Sequence, residues 1–310
     1  MSDNVQKVAV LGSSTMSNDD FCDDGRALGA SLAHGGYTVI LPGDLDSIKG
    51  DVMIGALNES GNVVNVYTDP GASPFAVHPP NLNDDLLKEK TMVEGRAGLK
   101  KSLDTRADMA VLLPGGLEEL DQAMHLARRG TPLIIVNTAG FYAGLAEQIE
   151  TIKESRLNHQ FPGGTLDHVH VVADVEEVSP IVEKYNGAGT PEYDYAQLWS
   201  RGKAEDRAVR GEREGHAPGF TYRDKKFTLS TEAGIMALEQ TARGLLDDSN
   251  VPMEIDNSTG YYDGLVAQFQ NYLDEGAENN NVLSNVTVLG DTSEYPDIQG
   301  EPEIATEHGL

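Results

Sequence analysis

Three glycine-containing loops, each directly after a short apolar stretch, are the first residues in this sequence that suggest a ligand site. They are residues Gly12–Ser14, Pro42–Asp44 and Pro114–Gly116. Glycine lets a backbone approach a ligand closely, and nearby hydroxyls and helix N-terminal amides can bind phosphate. The candidate ligand-binding residues are therefore Gly12, Ser13, Ser14, Gly43, Pro114, Gly115 and Gly116.

Two acidic residues, Glu118 and Glu119, follow the third loop, where a phosphate would otherwise sit. They allow two interpretations. Acids in the first turn of a helix interact favourably with the helix dipole, which is a structural role. A carboxylate in this place can also act as a general acid or base. The residues alone favour the structural role for both.

These loops must be positioned by the elements that precede them, and the first 186 residues alternate apolar runs with helical patterns. Runs such as KVAVL, TVIL and MAVLL are continuously apolar, which is typical of parallel strands buried on both faces. The pattern predicts a Rossmann-like, doubly wound α/β fold with helices on both faces of the sheet. The loops are then expected at the carboxyl edge of that sheet. Residues 84–106 predict a helix.

The second part of the chain echoes the first. The residues NSTGYYDGLVAQFQNYL from Asn257 resemble NTAGFYAGLAEQIETIK from Asn137, and a strand, a helix and another strand precede each copy. This echo predicts a partial internal repeat. The predicted regions are a Rossmann-like nucleotide-binding domain (1–186), a basic connecting segment (187–225), a partial α/β repeat (226–290) and a loose acidic tail (291–310).

Residues 201–226 hold eight of the 23 basic residues of the chain. Two interpretations stay open for this segment. Its arginines and lysines can neutralise acids of the first domain. Alternatively, the segment covers the strand-end cleft and binds the phosphates of a nucleotide.

The composition argues against several classes of protein. Fifty acidic residues against 23 basic ones give a formal net charge of −27, whereas nucleic-acid and anionic-membrane binding need a basic surface. Cys22 is the only cysteine, so no intramolecular disulfide and no cysteine-based zinc site is expected. There is no signal-peptide pattern and no apolar run near the roughly 20 residues of a membrane helix. We expect a soluble, cytoplasmic protein with a small-molecule ligand and no metal or cofactor.

Taken together, the loops resemble those of the LONELY GUY nucleotide phosphoribohydrolases, often labelled lysine decarboxylase-like. In that family the first strand ends in Gly-Ser-Ser, as at Gly12–Ser14, and a second loop is comparable to Ile48–Gly50. The family hallmark is Pro-Gly-Gly-x-Gly-Thr-x-x-Glu before a helix, followed later by Asn-x-x-Gly-Tyr-Tyr. Pro114–Gly116 matches its start and NTAGFY the later element.

The hallmark is shortened in this chain, since its x-Gly-Thr is missing. With three residues deleted after Gly116, the final glutamate of the hallmark aligns with Glu119, and the helix then reaches Gly130 without a further gap. The resemblance covers residues 5–185, with a weaker echo at 226–290.

The resemblance implies hydrolysis of the N-glycosidic bond of a nucleoside 5′-monophosphate, which releases a base and ribose 5-phosphate. Such cleavage passes through an oxocarbenium-like state that a carboxylate stabilises, and Glu119 is the candidate for this role. A cation must offset the phosphate charge, which Arg96 or Lys100 can do. The catalytic candidates are Glu119, Arg96 and Lys100, with the amides of Gly12, Gly115 and Gly116 as phosphate donors.

Other functions stay open. The missing Gly-Thr favours a non-catalytic protein that binds or senses a nucleotide derivative on the same fold. A base-exchanging deoxyribosyltransferase is a weaker alternative, and the fold does not decide among the three. Relatives in this family are commonly dimers that complete each site across the interface. The resemblance therefore implies either a homodimer or a chain in which residues 226–290 replace part of a partner subunit.

Overall fold

The structure is a computed structural model, and it describes residues 6–13, 15–16, 18–68, 87–155, 166–186, 220–223, 226–230, 232, 234–247, 252–275 and 280–290. Ser14, the segment 187–219 and the tail 291–310 lie outside these residues. The predictions made for them therefore stay predictions, as do the domain boundaries.

Seven strands form the larger sheet, and all of its strand pairs are parallel. They are β1 (Lys7–Leu11), β2 (Thr38–Pro42), β3 (Asn62–Thr68), β4 (Glu89–Val93), β5 (Met109–Leu112), β6 (Leu133–Val136) and β7 (Val169–Val172). Their order across the sheet is β4-β3-β2-β1-β5-β6-β7. Strands β2, β5 and β6 are buried along their whole length, because helices cover both faces. The predicted Rossmann-like α/β fold is confirmed.

Among the described residues, six α-helices accompany this sheet. They are α1 (Asp19–His34), α2 (Ser47–Asn58), α3 (Gly95–Arg106), α4 (Leu117–Arg128), α5 (Ala143–Glu154) and α6 (Val178–Tyr185). Helix α1 packs on α2 and α6, whereas α3 packs on α4, so the two groups cover opposite faces.

The helix predicted over residues 84–106 is wrong in its first half. The described residues there form strand β4, which pairs only with β3 at the edge of the sheet, and α3 begins after it. An edge strand is half exposed, and the side chains of β4 are mixed in polarity for that reason. Gly95, the first residue of α3, has a φ of +58°, a conformation that favours glycine.

A second, smaller sheet follows in the chain, with strand order β11-β10-β9-β8. Its strands are β8 (Phe220–Arg223), β9 (Lys226–Leu229), β10 (Met253–Asp256) and β11 (Val286–Leu289), and only β8 is antiparallel to its neighbour. Its helices are α7 (Ile235–Asp247), α8 (Asp263–Asp274) and α9 (Asn280–Leu283). Helix α7 packs on α4 and α8 packs on α5, so this part covers one helical face of the larger unit.

Helices α5 and α8 touch at two glycines. A Cβ atom on Gly144 or on Gly264 would lie 2.5 Å from the carbonyl oxygen of the other glycine. Four residues further on, Gln268 accepts a hydrogen bond from the backbone of α5 at 3.0 Å, and Gln148 accepts one from the backbone of α8 at 3.1 Å. The contact is therefore reciprocal, and its closeness requires residues without side chains at the crossing.

The turns before these two helices also have the same geometry. The Asn137 side chain accepts a hydrogen bond from the Tyr142 amide at 2.6 Å, and the Asn257 side chain accepts one from the Tyr262 amide at 2.8 Å. These are corresponding positions of the two echoed sequences. An internal repeat, with residues 226–290 in place of a partner subunit, stays a prediction.

Candidate functional site

The loops after β1 and β5 meet where the strand order reverses, between these two neighbouring strands. The Ser13 amide donates a hydrogen bond to the Pro114 carbonyl at 2.9 Å. Gly12 is buried, and a Cβ atom there would lie 3.2 Å from the Ile48 side chain. In open α/β sheets ligands bind at this reversal, so the described candidates are brought to the expected place.

The hydroxyl and the amide of Ser13 form hydrogen bonds within the protein itself. Its hydroxyl accepts hydrogen bonds from the amides of Thr15 and Met16, each at 3.0 Å, and the side chain is buried. Its amide is bound to Pro114, as described above. The groups that were expected to hold a phosphate at Ser13 thus already have partners within the chain.

Gly43 lies at the end of β2 with φ of +79°, a conformation that favours glycine. Its amide donates a hydrogen bond to the Val66 carbonyl at 2.7 Å, and its carbonyl accepts one from the Asn65 side chain at 3.0 Å. A Cβ atom on Gly43 would lie 3.3 Å from the Lys49 Nζ atom. Gly43 therefore leaves room for a lysine.

Lys49 is a member of the site that sequence reasoning missed. Its side chain is only 7% exposed, and its ammonium group donates to the Pro42 carbonyl at 3.1 Å. The same Nζ atom lies 3.7 Å from Oε1 of Glu119, so the two form a buried ion pair. The signal in the sequence is that Lys49 is the only basic residue of α2.

The Glu119 side chain folds back onto the N-terminus of its own helix, α4. Its Oε2 atom accepts a hydrogen bond from the Gly116 amide at 2.9 Å, and the side chain is 3% exposed. A Cβ atom on Gly115 would lie 2.7 Å from Cγ of Glu119, so only glycine leaves space for this carboxylate. The negative charge at the start of α4 is thus supplied by the protein, where the helix dipole favours an anion. The neighbouring Glu118 accepts a hydrogen bond from Gln122 at 3.3 Å.

Two buried tyrosines lie near Glu119. The Tyr142 hydroxyl donates to the Leu113 carbonyl at 2.9 Å. Burial raises the pKa of Tyr142, and the nearby Tyr272 and Glu119 raise it further. Burial also raises the pKa of Tyr272, with a further contribution from the charge of Glu119. Tyr272 belongs to α8 of the smaller unit, and the sequence offered no signal for it, since its place in an amphipathic helix is typical of packing.

The two cationic candidates are placed differently from Glu119. Arg96 is exposed in the first turn of α3. Lys100 Nζ lies 2.5 Å from Oδ1 of Asp121 and 3.3 Å from Oε1 of Glu239. Asp121 and Glu119 are two residues apart on α4, so they point about 200° away from each other around the helix. Lys100 is thus held by two acids on another side of α4, and its phosphate role stays a prediction.

Lys100 belongs to a buried ion cluster between α3, α4 and α7. The central acid is Glu239, which lies 3.0 Å from Nδ1 of His125 and 2.7 Å from Nε of Arg128. His125 Nε2 lies 3.0 Å from Asp104, which also pairs with Arg129 at 3.1 Å. His125 thus bridges Glu239 and Asp104.

The cluster shifts two pKa values in opposite directions. Burial lowers the pKa of His125, but hydrogen bonds to Asp104 and Glu239 outweigh it and raise the pKa above its ordinary value of 6.5. Burial raises the pKa of Glu239, yet the His125 hydrogen bond, Arg128 and Lys100 outweigh it and lower the pKa from 4.5 to about 2. Both charged forms are therefore favoured in the folded state.

These shifts predict how stability depends on pH. The contribution of His125 is complete below its ordinary pKa of 6.5 and is lost as the pH rises through its raised folded value. The contribution of Glu239 is complete above 4.5 and is lost as the pH falls towards 2. We expect the highest thermal midpoint between pH 4.5 and pH 6.5, where both contributions are complete. The midpoint should decline towards pH 9, and the decline should be smaller in the His125→Gln variant. An equal alkaline decline in both proteins would contradict this assignment.

Two further findings concern the described residues only. The described residues contain no group of three or more histidine, cysteine, aspartate or glutamate side chains arranged to hold a metal ion. None of their helices is long and apolar enough to span a membrane.

No protein-family model and no curated protein matches this sequence. Solved structures show a distant likeness. The molybdenum cofactor carrier protein of Chlamydomonas reinhardtii is 16% identical, with a TM-score of 0.45, over 59% of this chain and 98% of its own. The molybdenum cofactor binding protein of the phototrophic bacterium Rippkaea orientalis is 14% identical, with a TM-score of 0.43. The match covers 59% of this chain and 98% of that protein. The structural-genomics target TM1055 is 24% identical, with a TM-score of 0.44, over 58% and 99%. Likeness at this level indicates neither a ligand nor an activity for this chain.

Proposed function

We propose that this protein binds a nucleoside or nucleotide derivative at the carboxyl edge of its larger sheet, between β1 and β5, and does not cleave it. The observation that carries this proposal is the position of Glu119. Its carboxylate is buried, accepts the Gly116 amide at 2.9 Å and lies 3.7 Å from the Lys49 ammonium. The resemblance offers this residue as the hydrolytic carboxylate, but here it stabilises the protein itself.

Because Glu119 is only 3% exposed, its carboxylate would have to move away from these partners to reach a sugar. The Gly116 amide would then lack an acceptor, and the buried ammonium of Lys49 would lose its acid. An unsatisfied buried donor costs about 1–3 kcal/mol, and separating a buried ion pair costs about 3–5 kcal/mol. The folded geometry therefore opposes a movement of Glu119 towards a sugar.

The same geometry limits how a phosphate can bind. The amides of Ser13, Gly43 and Gly116 all donate to acceptors within the chain. A phosphate at the start of α4 would also meet the negative charge of Glu119. These three amides are therefore not open to a ligand phosphate, and the basic residues of 201–226 are candidates for binding one.

Hydrolysis of a nucleoside 5′-monophosphate is the second candidate function. One observation favours it, namely that Glu119 stands at the sheet edge where the resemblance expects the sugar-directed carboxylate. Lys49 places a positive charge 3.7 Å from that carboxylate. The deoxyribosyltransferase reaction has no observation of its own in its favour.

One experiment separates the two functions. The protein is incubated with a panel of nucleosides and nucleoside 5′-monophosphates while free base is measured by chromatography and unfolding by thermal shift. We expect stabilisation by at least one compound, about 2.7 kcal/mol at a hundredfold excess over Kd, without base release. Base release that disappears in Glu119→Gln and persists in the matched variant Glu118→Gln would establish hydrolysis instead.

A further inference from the structure

Helices α3, α4 and α7 meet through charged side chains in a regular arrangement. Each helix contributes one base and one acid four residues apart, which places both on one face of the helix. The three pairs are Lys100 with Asp104, His125 with Asp121, and Arg243 with Glu239. Since α7 belongs to the smaller unit and α3 and α4 belong to the larger one, the contact between the two units is partly ionic.

His125 lies between two carboxylates. Its Nδ1 atom is 3.0 Å from Oε1 of Glu239, and its Nε2 atom is 3.0 Å from Oδ1 of Asp104. An ionised carboxylate only accepts hydrogen bonds, so both ring nitrogens must carry a proton to make these two contacts. The geometry therefore describes an imidazolium ion that connects α3 to α7. Although burial lowers the pKa of His125, the two carboxylates raise it above 6.5, which agrees with this state.

Loss of this proton removes one of the two contacts, because a neutral imidazole has a single N–H group. One carboxylate then faces a ring nitrogen with a lone pair. Glu239 keeps two cations, Lys100 at 3.3 Å and Arg128 at 2.7 Å. Among the described residues, Asp104 keeps one, Arg129 at 3.1 Å. The carboxylate with fewer cations holds the remaining N–H more strongly, so the proton stays on Nε2 and the contact with Glu239 is lost.

Charges from all three helices act on this contact. They are Lys100 and Asp104 of α3, Asp121, Arg128 and the following Arg129 from the chain of α4, and Glu239 and Arg243 of α7. Arginine and lysine keep their charge far above neutral pH, and carboxylates lose theirs only in acid. Between neutral pH and about pH 9, His125 is therefore the group of this cluster whose charge changes.

We propose that the proton on His125 controls whether α7 stays packed on α4, so that rising pH opens this contact between the two units before the whole protein unfolds. Helix α7 has 13 residues, and isolated helices of this length are marginal in water. Its backbone amides therefore exchange with solvent when it separates from α4. The contact between α5 and α8 holds the smaller unit in place during this opening, since its glycines and glutamines do not titrate. The inference is independent of the proposed ligand.

Hydrogen exchange of the full chain, followed by mass spectrometry at about pH 6 and about pH 9, tests this proposal. Each rate is divided by the intrinsic rate at the same pH. We expect protection of the α7 amides to fall about tenfold or more between the two conditions, since a hydrogen bond between charged groups is lost. At both values α7 should be less protected than the central strand β1, and dilute urea should not change its exchange, because the opening is local.

A second measurement examines the histidine itself. In ¹⁵N spectra of the imidazole ring, both nitrogens of His125 should carry a proton at about pH 6, and the Nδ1 proton should be lost at about pH 9. In His125→Gln, α7 should already be weakly protected at the lower pH and should change little with pH. The matched variant His34→Gln removes a 70% exposed histidine that lies 3.3 Å from Glu59, and it should behave as the wild type does.

Four results would overturn the inference. The first is α7 protection that does not change with pH in the wild type. The second is an equal fall in wild type and His125→Gln, because another group would then be titrating. The third is equal protection of α7 and β1 with the same sensitivity to urea, because α7 would then open only when the whole protein unfolds. The fourth is a neutral His125 ring at about pH 6. The wild-type measurements decide the matter even if His125→Gln does not fold.

Discussion

Replacing Glu239 by alanine is expected to lower the free energy of unfolding by about 3–5 kcal/mol, the usual cost of removing one partner from a buried ion pair. Glu239 is 2% exposed and neutralises His125, Lys100 and Arg128 at distances of 2.7 to 3.3 Å. Without it, these cations share only the remaining acids of the cluster. Urea unfolding monitored by circular dichroism gives the difference, provided that the slope of the transition is unchanged.

The matched control is Glu150→Ala. Glu150 pairs with Lys153 at 2.7 Å, but its side chain is 59% exposed, so the loss should be below about 1 kcal/mol. Glu239→Gln keeps the shape and isolates the charge. If Glu239→Ala costs no more than Glu150→Ala, the ion cluster does not hold α7 against α4 in the way we describe.

Substitution of Gly144 by alanine should destabilise the protein by about 1–3 kcal/mol, the cost of overpacking a close contact. Elsewhere in helices, alanine is favoured over glycine by roughly 0.5–1 kcal/mol, so the expected sign is reversed. The reason is that the new Cβ atom would lie 2.5 Å from backbone atoms of α8 at Gly264 and Gln268. Equilibrium urea unfolding measures the effect.

Two comparisons serve as controls for this prediction. Ala143→Val adds bulk at an exposed position of the same helix and should change the stability by less than about 0.5 kcal/mol. Gly144→Ala and Gly264→Ala disturb one shared contact, so their effects should not add in the double variant. Stabilisation by either single substitution would mean that α5 and α8 do not touch in solution as they do here.

Much of the fold follows from local pattern. The buried strands β2, β5 and β6 are continuously apolar because both faces of the sheet are covered, and such runs are visible in the sequence. Strand β4 has no such signature, because an edge strand carries side chains of mixed polarity, and its sequence therefore suggests a helix. Its place is decided by pairing with β3, which local sequence does not encode.

Some residues of the candidate site could likewise be predicted from local sequence, and others could not. Glu119 and its glycine loop were predicted because they are neighbours in the sequence. Lys49 and Tyr272 were missed because each reaches the site from a distant element. The buried partner of Lys100 could not be predicted, since Glu239 belongs to α7, more than a hundred residues later in the chain. Interactions of this range depend on the packing of the two units.

The contact between α5 and α8 also bears on how the protein responds to dilution. Both helices belong to one chain, so their association is intramolecular. A site shared between two separate subunits loses half of its groups when the subunits dissociate. In this chain the contact between α5 and α8 does not depend on the protein concentration.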